Sequence, residues 1–209
     1  HNNPKLTGRV VKPLCQLSKL KRLELDGIKL TPAEFGNLSA LSNLETLGLS
    51  GTGLTDECLQ ALGPLKSLKS LELQGAAITD TGAAELKRFE NLRSLGLTKT
   101  VIGDVGIVEI ENLHDLEFLG LASTKVTDAG MVAVAKLRKL KTIELDETAV
   151  TDAGIRALRE LPKLASLSVN GTKVSETELE ELCALHPGMT TSPLPPSVLA
   201  KRQQQLSKP

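Results

Sequence analysis

Six acidic side chains recur at intervals of 24 residues: Asp56, Asp80, Asp104, Asp128, Asp152 and Glu176. A row of carboxylates is the chemistry of a hard-cation site, because calcium and magnesium choose oxygen ligands. Loops with glycine at the spacing of calcium-binding motifs do not accompany them, so no metal is expected. Each acid instead follows a Thr, Gly or Ser that opens a stretch of helical periodicity. There a carboxylate meets the positive end of a helix dipole, and its expected role is to compensate its own helix. A second row, Thr52, Thr100, Thr124, Thr148 and Thr172, is expected to satisfy backbone groups in a turn. His114 and His186 lie about three 24-residue units apart, and His1 is at the N-terminus. No serine or cysteine converges on them, so no catalytic residue is assigned and an enzyme is not expected. Gly82, Gly106, Gly130 and Gly154 belong to no phosphate loop, since neither Gly-x-Gly-x-x-Gly nor a Walker lysine is present. Glycine is a poor helix former, so their recurrence near helix starts implies close approach of neighbouring backbones.

The elements that position these rows share the same period. Leu23/Leu25, Leu47/Leu49, Leu71/Leu73, Leu95/Leu97, Leu119/Leu121, Ile143/Leu145 and Leu167/Val169 alternate as strands do. After each pair the spacing lengthens to the helical three, as in Met131, Val134 and Leu137. Thr127 with Asp128 forms a helix start, Pro32 follows Thr31 at a first helical position, and Thr31/Glu34 and Ser175/Glu178 have capping-box spacing. Each unit is therefore a short strand, a turn, a helix of two to three turns and a return loop. Seven apolar positions recur per unit, for example Leu44, Leu47, Leu49, Leu54, Leu59, Leu62 and Leu65. Burying them contributes roughly 10–20 kcal/mol gross, and ordering the unit costs at least as much. One unit alone does not fold; stacked units do, which is the logic of a solenoid.

The 209 residues carry 25 Lys plus Arg and 25 Asp plus Glu, so net charge is zero. No global field recruits nucleic acid or an anionic membrane, and no apolar run is long enough to span a bilayer. Trp and Tyr are absent and Phe occurs three times, a composition short of the aromatic anchors of tight interfaces. Cys15, Cys58 and Cys183 fall in widely separated units, beyond the roughly 7 Å reach of a disulfide. That usage is compatible with a reducing, cytoplasmic compartment.

Leu116-x-x-Leu119-x-Leu121-x-x-Thr124-x-Val126 resembles the leucine-rich repeat, with Thr in place of the usual Asn or Cys. The run Thr-Asp-Ala-Gly at 127–130 and 151–154, with variants at 79–82 and 103–106, resembles a 24-residue bacterial subclass. The resemblance implies an α/β arc with a parallel sheet of about seven strands on its concave side and short helices on its convex side. It also implies an interaction framework without cofactors, whose individual binding residues do not transfer between members.

Strand alternation sends the residues between the core leucines to the concave face. The candidate partner-binding residues are Glu24, Asp26, Glu72, Gln74, Gly96, Thr98, Phe118, Gly120, Ala122, Glu144, Asp146 and Asn170. Gly96 and Gly120 are expected to leave the sheet bare, with Phe118 and Ala122 adding apolar surface and Glu72, Glu144 and Asp146 an acidic rim. A protein or peptide with basic flanks fits that surface, and the chain is expected to be a monomer or weak oligomer.

Residues 1–19 align with the second half of a unit and form an N-terminal half-repeat or cap; 20–189 hold seven repeats, and 190–209 a tail. Pro193, Pro195 and Pro196 forbid a further regular strand, leaving a mostly extended tail that shields the last one. The functions in play are a non-enzymatic binding scaffold, a regulatory or substrate-recognition segment of a larger enzyme or ligase, and a structural spacer.

Overall fold

The computed structural model describes residues 7–198. Its strands are β1 (Arg22–Glu24), β2 (Thr46–Gly48), β3 (Ser70–Glu72), β4 (Ser94–Gly96), β5 (Phe118–Gly120), β6 (Thr142–Glu144), β7 (Ser166–Ser168) and β8 (Thr190–Ser192). They form one parallel sheet in sequence order. Each residue pairs with the one 24 positions on, as in Leu47↔Leu71 and Leu95↔Leu119. The helices are α1 (Val11–Leu14), α2 (Pro32–Leu38), α3 (Asp56–Ala61), α4 (Asp80–Leu86), α5 (Asp104–Glu109), α6 (Asp128–Val134), α7 (Asp152–Ala157) and α8 (Glu176–Leu185). They stack on their sequence neighbours along the opposite side. Between the two rows the repeated apolar positions close into one continuous core, with Leu44, Leu47, Leu49, Leu54, Leu59, Leu62 and Leu65 all fully buried.

Most helices are shorter than two to three turns. The chain turns back through tight bonds, Leu62 N–H to Leu59 O at 3.1 Å and Leu65 N–H to Leu62 O at 2.9 Å, which end α3 after six residues. The sheet has eight strands rather than about seven. The prolines begin only at Pro193, so residues 190–192 keep their N–H groups and carbonyls; Ser192 O accepts from Val169 N–H at 2.7 Å. The leucine template hid this strand, because Thr191 occupies the core position opposite Leu167 and Met189, not residue 188, is buried. His1, Leu6 and the stretch 199–209 lie outside the described residues.

The threonine row behaves as expected. Thr52, Thr100, Thr124, Thr148 and Thr172 each donate Oγ1–H to the carbonyl three residues earlier, at 2.6–2.7 Å. The five aspartates stand in the first turns of their own helices, as expected, but each also reaches forward into the next coil. Asp128 Oδ1 accepts from Thr151 N–H at 2.7 Å and Gly154 N–H at 3.0 Å, and Oδ2 accepts from Thr151 Oγ1 at 2.7 Å. Asp104 makes the same three bonds with Thr127 and Gly130. Asp152 holds Ser175 through its N–H and hydroxyl, and these bonds lower the Asp152 pKa, the backbone bond most. The clasp also explains the helical glycines: what crowds them is chiefly the carboxylate of the preceding coil, not its backbone. A Cβ at Gly154 would sit 2.5 Å from Asp128 Oδ1, and one at Gly130 2.7 Å from Asp104 Oδ1. At Ser175/Glu178 only half of the expected capping box forms: Ser175 N–H already belongs to Asp152, while Glu178, 2% exposed, pairs with Arg156 and Arg159.

The third residue after each of the first seven strands has positive φ. Gly27, Gly51, Gly75 and Gly171 fill that position in four coils, but Lys99, Ser123 and Glu147 hold φ of 55–58° in the middle three. A side chain there strains the backbone by roughly 1 kcal/mol. Lys99→Gly, Ser123→Gly and Glu147→Gly should each raise urea-unfolding stability by about 1 kcal/mol. Asp128→Ala should lower it by about 1–3 kcal/mol, because two backbone donors and a hydroxyl lose their acceptor together.

Candidate functional site

Three-residue strands present their two end positions outward and bury the residue between, a leucine in all but β6 and β8. The candidate residues therefore line the open face in register: Glu24, Glu72 and Glu144 end their strands, with Gly96 and Gly120 in the same row. Asp26, Gln74, Thr98, Ala122, Asp146 and Asn170 form the adjacent row, two residues on.

The glycines are not bare. A Cβ at Gly96 would lie 1.8 Å from Glu72 Oε2, so the Glu72 side chain is folded sideways across Gly96. Gly48 is likewise overlaid by Asp26 and Glu24 from the preceding coil. At Gly120, the Phe118 ring and Thr98 Oγ1 occupy the space, each with an atom 3.4 Å from where a Cβ would stand. Ala122 is only 9% exposed and adds little apolar surface, because it lies in the tight turn whose carbonyl accepts from Lys99 N–H at 2.8 Å. Phe35 and Phe89 are fully buried, so Phe118, half-buried on its own strand's glycine, is the phenylalanine that reaches the surface.

The acids divide by what they hold. Asp146 accepts from Ser168 Oγ at 2.6 Å and from Asn170 N–H and Nδ2 at 2.6 and 2.9 Å. Asn170 also donates to Ser192 Oγ at 2.9 Å, linking the last three coils. Asp26 accepts from Ser50 N–H at 2.7 Å, and Glu24 faces Arg22 at 3.4 Å. Gln74 is exposed and ties its coil through its carbonyl, which accepts from Gly51 N–H at 2.9 Å. Glu144 is half-buried beside the Phe118 coil. Glu72 is the electrostatic outlier. Burial raises its pKa, the Ser94 hydroxyl bond at 3.4 Å opposes the rise, and the charges of Asp26 and Glu144 add to it.

The histidines stay apart from this face. His114 is exposed in a return loop, next to Asp115 which pairs with Lys139. His186 Nε2 lies 3.1 Å from Arg159 O at the far end. Sequence reasoning missed the sideways fold of Glu72. Its signal was a glutamate placed one coil before a glycine in the same outward row.

A carboxyl whose protonated form is favoured by folding costs stability once both states ionise. That cost is absent below the ordinary value of 4.5, where folded and unfolded chains are both protonated, and it grows as pH rises through the raised folded value. Glu72→Gln should therefore raise the melting temperature at pH 7 and lose that advantage below about pH 4. Gly96→Ala should push the carboxylate into solvent and return its pKa, followed by NMR, toward the ordinary value.

Comparison with known proteins places the architecture. A leucine-rich-repeat family model matches residues 65–87. No curated protein sequence matches the chain. An internalin of Listeria monocytogenes superposes with a TM-score of 0.65 at 18% identity, over 86% of this chain and 56% of that one. Internalin C2 of the same organism gives 0.68 at 23%, over 88% and 91%. A leucine-rich-repeat protein of Leptospira interrogans gives 0.63 at 27%, over 86% and 50%. The chain thus spans little more than half the length of the first and half of the third. With eight strands in a single register, a repeat model matched and solved bacterial solenoids superposed along most of its length, the chain has the fold of a leucine-rich-repeat solenoid.

Proposed function

We propose that this chain is a non-enzymatic scaffold that binds a protein or peptide on the open face of its sheet, centred on Phe118. The observation that carries the reading is the Phe118 ring, lying beside Gly120 and still half-exposed. An aromatic ring already fixed before binding loses little entropy when a partner covers it, and such rings dominate interface energetics. Glu72 and Glu144, in the same row as Gly120, supply negative potential on both sides. The partner is accordingly an apolar residue flanked by Lys or Arg, steered by charge and anchored by desolvation. Asp26, Asp146 and Asn170 serve chiefly to keep successive coils in register beneath that surface, since their polar atoms are engaged there. Acid–base chemistry shared by the two described histidines has no support, because His114 and His186 occupy the same register position three coils apart.

Selection of displayed peptides on the intact chain should enrich sequences pairing an apolar residue with basic neighbours. Phe118→Ser should abolish their capture while moving the melting temperature little. Val132→Asp, an exposed position on α6, should leave capture intact. Undiminished capture by the Phe118 variant discards the site.

A further inference from the structure

Zero net charge conceals a separation of charge between the two faces at the ends of the strands. The in-register stack puts equivalent residues at one height along the strand direction. Residues entering the strands (18–21, 42–45, 66–69, 90–93, 114–117, 138–141 and 162–165) include nine Lys or Arg and four Asp or Glu. Those leaving them (27–33 and the six equivalent stretches to 171–177) include four Lys and eight Asp or Glu. The molecule is a transverse dipole, with one cationic face and one anionic face.

The cationic face is layered. All nine cations are exposed, whereas three of the four acids, Glu45, Asp115 and Glu117, are half-buried beneath them, and the fourth, Glu90, is exposed. Lys21 and Lys69 both pair with Glu45, whose pKa their hydrogen bonds hold down to about 2. Lys139 and Lys141 cover Asp115 and Glu117 in the same way. The outermost layer is thus almost wholly positive, and Lys19, Arg93 and Lys163 extend it beyond the paired residues. A shallow cleft lies among Lys19, Lys21, Ser67 and Lys69. Leu17, 52% exposed, adds an apolar contact at the corner beside Lys19.

We propose that this face docks the protein on an anionic lipid surface. The cations spread in two dimensions, two or three per coil in places, and lie at one level, which matches a plane of phosphate headgroups better than a single polymer track. The aromatic platforms on which single-stranded nucleic acid stacks do not accompany them, since Phe118 lies on the sheet. Juxtamembrane cations of this kind act additively within a Debye length, about 8–10 Å at physiological salt. The anionic face then points away, and the sheet face, set at right angles to both, stays open to a partner.

The test is co-sedimentation of the full chain with vesicles of phosphatidylcholine alone or with about one-third phosphatidylglycerol. Binding is expected only to the anionic vesicles, weakening at least about tenfold as salt rises from about 0.05 to about 0.3 M. The triple variant Lys19→Glu, Arg93→Glu, Lys163→Glu should lose binding at least about tenfold. Lys99→Glu, Lys125→Glu, Lys173→Glu, an equal change in net charge on the opposite face, should keep it, as should Phe118→Ser. Melting curves establish that each variant is folded. Absence of binding to anionic vesicles at low salt, equal losses in the two triple variants, or binding to a soluble DNA oligonucleotide without binding to vesicles would each overturn the proposal.

Discussion

No coil of this chain can shelter its own leucines. Each contributes a three-residue strand and a helix of a turn or two, and its apolar side chains reach full burial only between the coils before and after. Everything else in the molecule answers to that dependence. Side chains that in a globular protein would serve their own element here reach into the next one. The aspartate clasp is the clearest case: one carboxylate satisfies the opening N–H groups and the capping hydroxyl of the following helix, fixing the pitch at the point where helices crowd most. Glycine at the third helical position follows from it, because the carboxylate occupies the space a Cβ would need.

Much of this architecture could be read from the residues. The period, the buried leucines, the helix starts and the threonine hydroxyls all follow from local patterns that one coil states and six others repeat. The forward reach of Asp56, Asp104 and Asp128 was not legible, because a linear pattern places an acid at a helix start without saying which helix its rotamer serves. The eighth strand escaped because a threonine stands in its core position and a methionine one place along fills the interior. Lys99, Ser123 and Glu147 adopt positive φ only because their neighbours in the stack force the same turn that glycine makes elsewhere.

The open face illustrates the same limit. Alternation correctly assigns Glu72, Gly96, Phe118 and Gly120 to one side of the sheet, yet it treats each as pointing straight outward. In the folded chain Glu72 lies down over Gly96 and Phe118 over Gly120, so the smallest residues create resting places for the largest ones instead of gaps. Two half-buried groups, one acidic and one aromatic, result on an otherwise flat polar surface. Charge is similar: totals over the chain cancel, and the division into two faces emerges only after the repeats are folded into register.

The joints between coils are not equal. From Asp56 onward each helix-start aspartate clasps the coil that follows, but the first coil carries Pro32 in that place and offers Thr55 no carboxylate. In a one-dimensional stack, mechanical load passes through every joint in turn. The link between the first and second coils is therefore the compliant one, and a pull along the axis would part the molecule there, leaving the later coils as a stiffer block.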